Sequence, residues 1–206
     1  MYHINLCSSD TSILKYCLLN DEWLNKIERI RNVFNYYYKV NIYFFYDIKE
    51  LTNYISETIP QWVTGVSIKN NIFIKSQEIL SLYGTNIFFQ ILIHEFVHVV
   101  VNKKTKNSCP LWLNEGFAVY FAEQYKSNGL LSENEFNNIK IDIYNLDYKV
   151  DDVYRNSAIA FNTLVYEYGI NTIVNKIENT IDFKNDEMFG SKRMSNLLRK
   201  PKRILL

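Results

Sequence analysis

The chain has 206 residues and a mass of 24.5 kDa, and 48% of its residues are hydrophobic. That is enough apolar side chain for one domain or two subdomains sharing a core, and too much for a disordered chain. The 23 Lys and Arg almost cancel the 22 Asp and Glu, so charge gives no footing for a nucleic-acid partner, and none is expected.

Six Gly and three Pro beside 25 Asn, 24 Ile and 16 Tyr are too few breakers for a turn-dense sandwich or barrel; helix with some sheet is expected instead. The start, Met1-Tyr2-His3-Ile4-Asn5, lacks the charged residues and unbroken apolar run of a secretory signal. It reads as the start of a cytoplasmic chain, or of one exported by another route. Cys7, Cys17 and Cys109 are odd in number and lack CxxC spacing, which suits reduced thiols and leaves a Cys7–Cys17 disulfide open.

Asp21 to Lys39 carries Leu24, Ile27, Ile30, Val33, Phe34 and Tyr37 at three- and four-residue steps, the period of an amphipathic packing helix. Val40 to Tyr46 is β-branched and aromatic and reads as a strand, and Asp47 to Glu57 returns as a short helix. Gln61 to Lys69 and Asn71 to Lys75 read as two strands around a turn at Lys69-Asn70-Asn71, since Asn tolerates positive φ.

From Thr85 the period changes. Asn86 to Asn102 reads as a long apolar helix, Lys103 to Cys109 as a polar loop closed by Pro110, and Leu113 to Tyr125 as a second helix stopped near Asn128-Gly129. Further helices are expected near Ser132 to Tyr144, Val153 to Tyr168 and Ile170 to Ile181. The apolar run Ile87 to Val101 is interrupted by Gln90, His94, Glu95 and His98. As a helix it would rise only about 22 Å against a hydrocarbon core of ~30 Å, so no transmembrane segment is expected. The whole is an α+β chain with a small N-terminal mixed sheet and a helical C-terminal half. We expect one compact unit, with an α/β part at 1–83, a helical part at 84–190 and a basic tail at 191–206.

His94-Glu95-Phe96-Val97-His98 places two imidazoles four apart on one helix face, where both can bind one metal ion. Glu95, one step round, is positioned to act as a general base without being a ligand. Three ionisable groups among Ile91, Leu92, Ile93, Phe96, Val97 and Val99 would cost several kcal/mol without partners. A metal removes that objection. Two His leave a catalytic zinc one protein ligand short, and Glu115, in Trp112-Leu113-Asn114-Glu115-Gly116-Phe117-Ala118 with sixteen residues between it and His98, supplies it from the first turn of the second helix.

This pair of motifs resembles the gluzincin metallopeptidases, in particular the small peptidase MA-like branch related to aminopeptidase N. The resemblance covers about Trp62 to Ile181. It implies a thermolysin-like catalytic core, one Zn2+ per chain held by His94, His98 and Glu115, and hydrolysis of peptide bonds in a peptide or protein substrate by metal-activated water. It also implies catalytic roles for Glu95, as base, and for Tyr154, in a segment like the helix where aminopeptidase-type relatives carry a transition-state tyrosine; Tyr166 and Tyr168 are its nearest competitors. No Gly-x-Met-Glu-Asn run precedes the metal helix, so the glutamate that binds a free amine in those relatives has no counterpart. Internal bonds are therefore favoured over terminal ones, by a processing protease with few substrates. Val119 stands where thermolysin-like enzymes place an Asp that supports a zinc histidine. The alternative is a catalytically inactive, zinc-stabilised peptide-binding module of the same fold.

Ser191 to Leu206 holds six bases and no acid, while residues 1–190 carry 17 bases against 22 acids. This reads as a solvated terminal segment, or as a contact for an anionic partner or a membrane surface. Tyr36-Tyr37-Tyr38 reads as the wet end of a packing helix.

Overall fold

The computed structural model describes residues 4–56, 58–124 and 140–199, in two compact units that divide between Val100 and Val101. The first unit holds a four-stranded mixed sheet in the order β1-β2-β4-β3, from β1 (Ile4–Cys7), β2 (Val40–Phe45), β3 (Gly65–Ile68) and β4 (Asn71–Lys75). β1, β2 and β4 run parallel and β3 is antiparallel to β4. Asn5, Asn41 and Asn71 stand opposite one another, and their side-chain amides bond across at 2.9 and 2.8 Å. β4 therefore has partners on both sides, and β1 and β3 are the edges.

Helices connect the parallel strands. α1 (Thr11–Leu19) starts at Asp10, whose carboxylate accepts from the Ser12 N–H, and α3 (Ile48–Ile55) starts at Asp47, which accepts from the N–H groups of Lys49 and Glu50. Each satisfies backbone donors that a helix start leaves open. α2 (Glu22–Phe34) ends five residues before the expected Lys39, because Asn35 turns left-handed (φ 48°) and its N–H returns to the carbonyls of Arg31 and Asn32. Tyr36 is then not wet: it is fully buried, edge-on to Phe96 at 6.2 Å, and burial pushes its phenol up to about 12. Lys69 rather than an Asn carries the positive φ of the β3–β4 turn.

α4 (Ser76–Lys104) is broken at Gly84 (φ 78°, ψ −176°), giving helical stretches 76–83 and 85–104. A side chain rarely adopts that backbone, so the kink falls at a glycine. By length and composition α4 could cross a membrane, yet most of its apolar stretch is buried in the protein. Phe88 packs on Phe44 of β2, and Phe89 stacks on Trp23 of α2. These contacts hold the start of the 85–104 stretch within the first unit, which runs to Val100.

The second unit has no strand among the described residues. It contains α5 (Leu111–Phe121), a 3-10 turn (Ile143–Asn145), α6 (Val153–Tyr168), α7 (Ile170–Ile177) and α8 (Ser191–Leu198). α5 begins at Leu111, two residues earlier than expected, directly after Pro110, and ends at Phe121; the expected stop at Asn128-Gly129 lies outside the described residues. Of the expected helix Ser132 to Tyr144, residues 132–139 lie outside them too, and 140–142 are not helical. The Tyr144 hydroxyl instead shares its one hydrogen between the carbonyls of Phe183 and Phe189, at 2.6 and 2.9 Å, which holds a tight turn there.

The basic tail is corrected over its first eight residues. They form α8, with Met194, Leu197 and Leu198 buried, and Arg193 bonds Glu167 and the Tyr168 hydroxyl at 2.9 and 2.7 Å. An amphipathic face buried against the unit replaces the expected solvated segment. All three cysteines are free thiols, so the Cys7–Cys17 disulfide is not formed.

Candidate metal centre

His94 and His98 lie one turn apart on α4, and their Nε2 atoms approach to 3.0 Å with ring planes at 87°. Two ligands of one tetrahedral ion at ~2.05 Å would be separated by about 3.3 Å, so the imidazole pair already has the spacing of a shared cation. A ligand atom of Glu115 joins them, all three lying within 4.8 Å of one another. The group is buried, with His94, His98 and Glu115 only 6, 9 and 6% exposed. Two nitrogens and a carboxylate oxygen facing inward in that space fit a divalent metal ion, and this group can hold one.

Local structure explains why the sequence around Glu115 reads Asn-Glu-Gly. The Asn114 amide donates to the Asn102 side chain at 3.0 Å. Asn102 is one helical turn beyond His98, so this bond registers the start of α5 against the end of α4. A Cβ on Gly116 would lie 2.6 Å from Phe161 Cβ and 3.0 Å from the Ser157 carbonyl oxygen, so α5 and α6 can touch only with glycine there. Phe117 then packs on Phe161 at 4.5 Å. Glu115 thus sits one turn inside α5, not in its first turn, between two fixed neighbours.

Glu95 is 7% exposed and lies beneath the edge strand β3. A Cβ on Gly65 of β3 would fall 2.9 Å from Glu95 Cγ and 2.8 Å from Ile74 Cδ1. Gly65→Ala is expected to displace the Glu95 carboxylate. If Glu95 acts as a general base, about 1 Å of misplacement can cost 10²-fold in rate, so turnover should fall by up to about that factor while metal content stays at the wild-type value. Parallel rate and metal measurements check both halves.

Sequence reasoning missed Tyr148. Its hydroxyl donates to Glu115 Oε1 at 2.5 Å, and its ring lies 5.9 Å from that of Tyr154. The turn that carries it is tied down: Asp147 accepts from the Lys149 N–H, Asp151 accepts from the Asp147 N–H, and Lys140 pairs with Asp151 at 2.7 Å. The Lys140 bond also holds the Asp151 carboxyl below its ordinary value. The signal for a turn, Asp147 and Asp151 before a helix, was in the sequence; nothing there pointed its tyrosine at Glu115. Tyr154 itself is the second residue of α6 and is 36% exposed. Of its competitors, Tyr166 is largely exposed and Tyr168 is engaged by Arg193. Val119 is buried and offers no polar support to a histidine.

Comparison with protein-family models, with curated proteins and with solved structures finds no match to this chain.

Proposed function

We propose that the chain is a zinc-dependent endopeptidase with a thermolysin-like core, of the gluzincin kind that its paired motifs resemble. The observation that carries this reading is the buried convergence of His94, His98 and Glu115, with a buried carboxylate, Glu95, on the residue next to a ligand. A metal site built only for stability has no use for that carboxylate. Zinc is the ion proposed, because two imidazoles and one carboxylate leave an open fourth position of the catalytic type. When bound, it supplies a Lewis acid that polarises a carbonyl and acidifies water.

The chain's own residues do the rest. Glu95 takes the proton from the attacking water and delivers it to the leaving amine. Substrate lies extended along β3, the edge strand that runs past Glu95, whose open side offers backbone hydrogen bonds to an added strand. β4 is excluded from that role by its two partners. Tyr154 is proposed as the donor to the developing oxyanion; the support is its packing on Tyr148, which touches Glu115. Tyr154→Phe is expected to lower kcat by roughly 10- to 1000-fold, with KM changed far less and zinc retained.

Strand addition reads backbone and needs no terminal amine. Peptides blocked at the N-terminus are therefore expected to be cleaved at internal bonds as fast as unblocked ones, scored by mass spectrometry of products. Cleavage that depends on a free amine would make the chain an exopeptidase. Tight zinc binding without cleavage of any member of a peptide library would favour the inactive binding module.

A further inference from the structure

The Glu115 carboxylate has two oxygens and a zinc ion at this site needs one. Which oxygen faces the histidines, and whether one or both reach the ion, is open to any glutamate on a helix, since its side chain turns about three bonds. Here a phenol O–H is aimed at Oε1 at 2.5 Å. The phenol is not a wandering surface group. Its backbone belongs to the turn fixed by Asp147, Asp151 and Lys140, and its ring is packed on Tyr154.

An oxygen that accepts a hydrogen bond from a fixed donor is turned toward that donor, which presents the other oxygen elsewhere. Hydrogen-bond partners of metal ligands fix orientation in this way and set affinity. We infer that Tyr148 is the positioning residue of the metal centre, holding Glu115 through Oε1 so that it binds zinc through a single oxygen. This rests on the zinc-site reading proposed above. It gives Tyr148 and Tyr154 separate tasks, one on the ligand and one on the substrate.

Zinc affinity of the full chain, measured by competition with a chromophoric chelator, tests the inference in wild type, Tyr148→Phe, Glu115→Ala and the double variant. Tyr148 is 40% exposed and Phe removes one oxygen, so the metal-free variant should keep the wild-type circular dichroism. Tyr148→Phe is expected to weaken zinc about 10- to 100-fold, with no further loss in the Glu115→Ala background. The visible spectrum of the Co2+-loaded variant should shift as the carboxylate is freed to bind through both oxygens. Affinity within about twofold of wild type with an unchanged cobalt spectrum overturns the inference, and so does an equal loss in both backgrounds. A wild-type chain that binds no zinc overturns it together with the zinc site. One that binds zinc but cleaves nothing overturns the peptidase reading alone, because affinity and not turnover is read.

Discussion

Replacing Glu95 by Gln is expected to lower turnover by about 10²–10⁴-fold while zinc stays bound, the range that a positioned general base contributes. The substitution keeps the shape of the side chain, so the close approach of Gly65 to Glu95 is preserved and only the proton-accepting oxygen is lost. His94 and His98 project from the same helix face and are untouched. Zinc content at the wild-type level together with a fallen kcat separates this role from that of a ligand. Loss of zinc with activity would place Glu95 among the ligands, and full activity would remove it from the mechanism.

The clustering of His94, Glu95 and His98 was legible in the sequence because their spacing is local. A step of four residues only slightly exceeds the 3.6 of a helical turn, so His94 and His98 share a face wherever a helix forms, and the apolar neighbours made the helix and its burial predictable together. Glu115 was found by its Asn-Glu-Gly setting, and the structure supplies a physical reason for each neighbour: Asn114 bonds Asn102, and Gly116 makes room for Phe161. Tyr148 was not legible, since 33 residues separate it from Glu115 and no period links a turn to a helix. Gly65 against Glu95 is likewise a tertiary contact that composition cannot show. In the fold, the sheet of the first third was read from its β-branched runs. β1 was missed because four residues, Ile4–Cys7, are too few to show a period, and α8 was missed because six bases masked the buried face of Met194, Leu197 and Leu198.

Stripping the metal should have the largest effect on stability. Without an ion, His94, His98 and Glu115 remain together, each under a tenth exposed, and the carboxylate and imidazoles must be desolvated with less compensation than a cation gives. Whatever binds only the folded state stabilises it by mass action, about 4 kcal/mol at a free concentration near 1,000 times Kd. For a chain of this size each kcal/mol is worth roughly 2–4 °C, so a strong chelator is expected to lower Tm by about 8–16 °C, and added zinc to restore it. His98→Ala should melt near the chelated wild type and lose its response to chelator, because one imidazole and one carboxylate hold zinc poorly. Glu95→Gln should keep the full response, being no ligand. A chelator that leaves the wild-type Tm unchanged, with zinc shown to be gone, would mean that the cluster of His94, His98 and Glu115 is stable without an ion and that the metal contributes nothing to the fold. The Glu95→Gln and His98→Ala melts, run side by side, therefore separate the residues of the 94–98 segment that hold the metal from the one that does not.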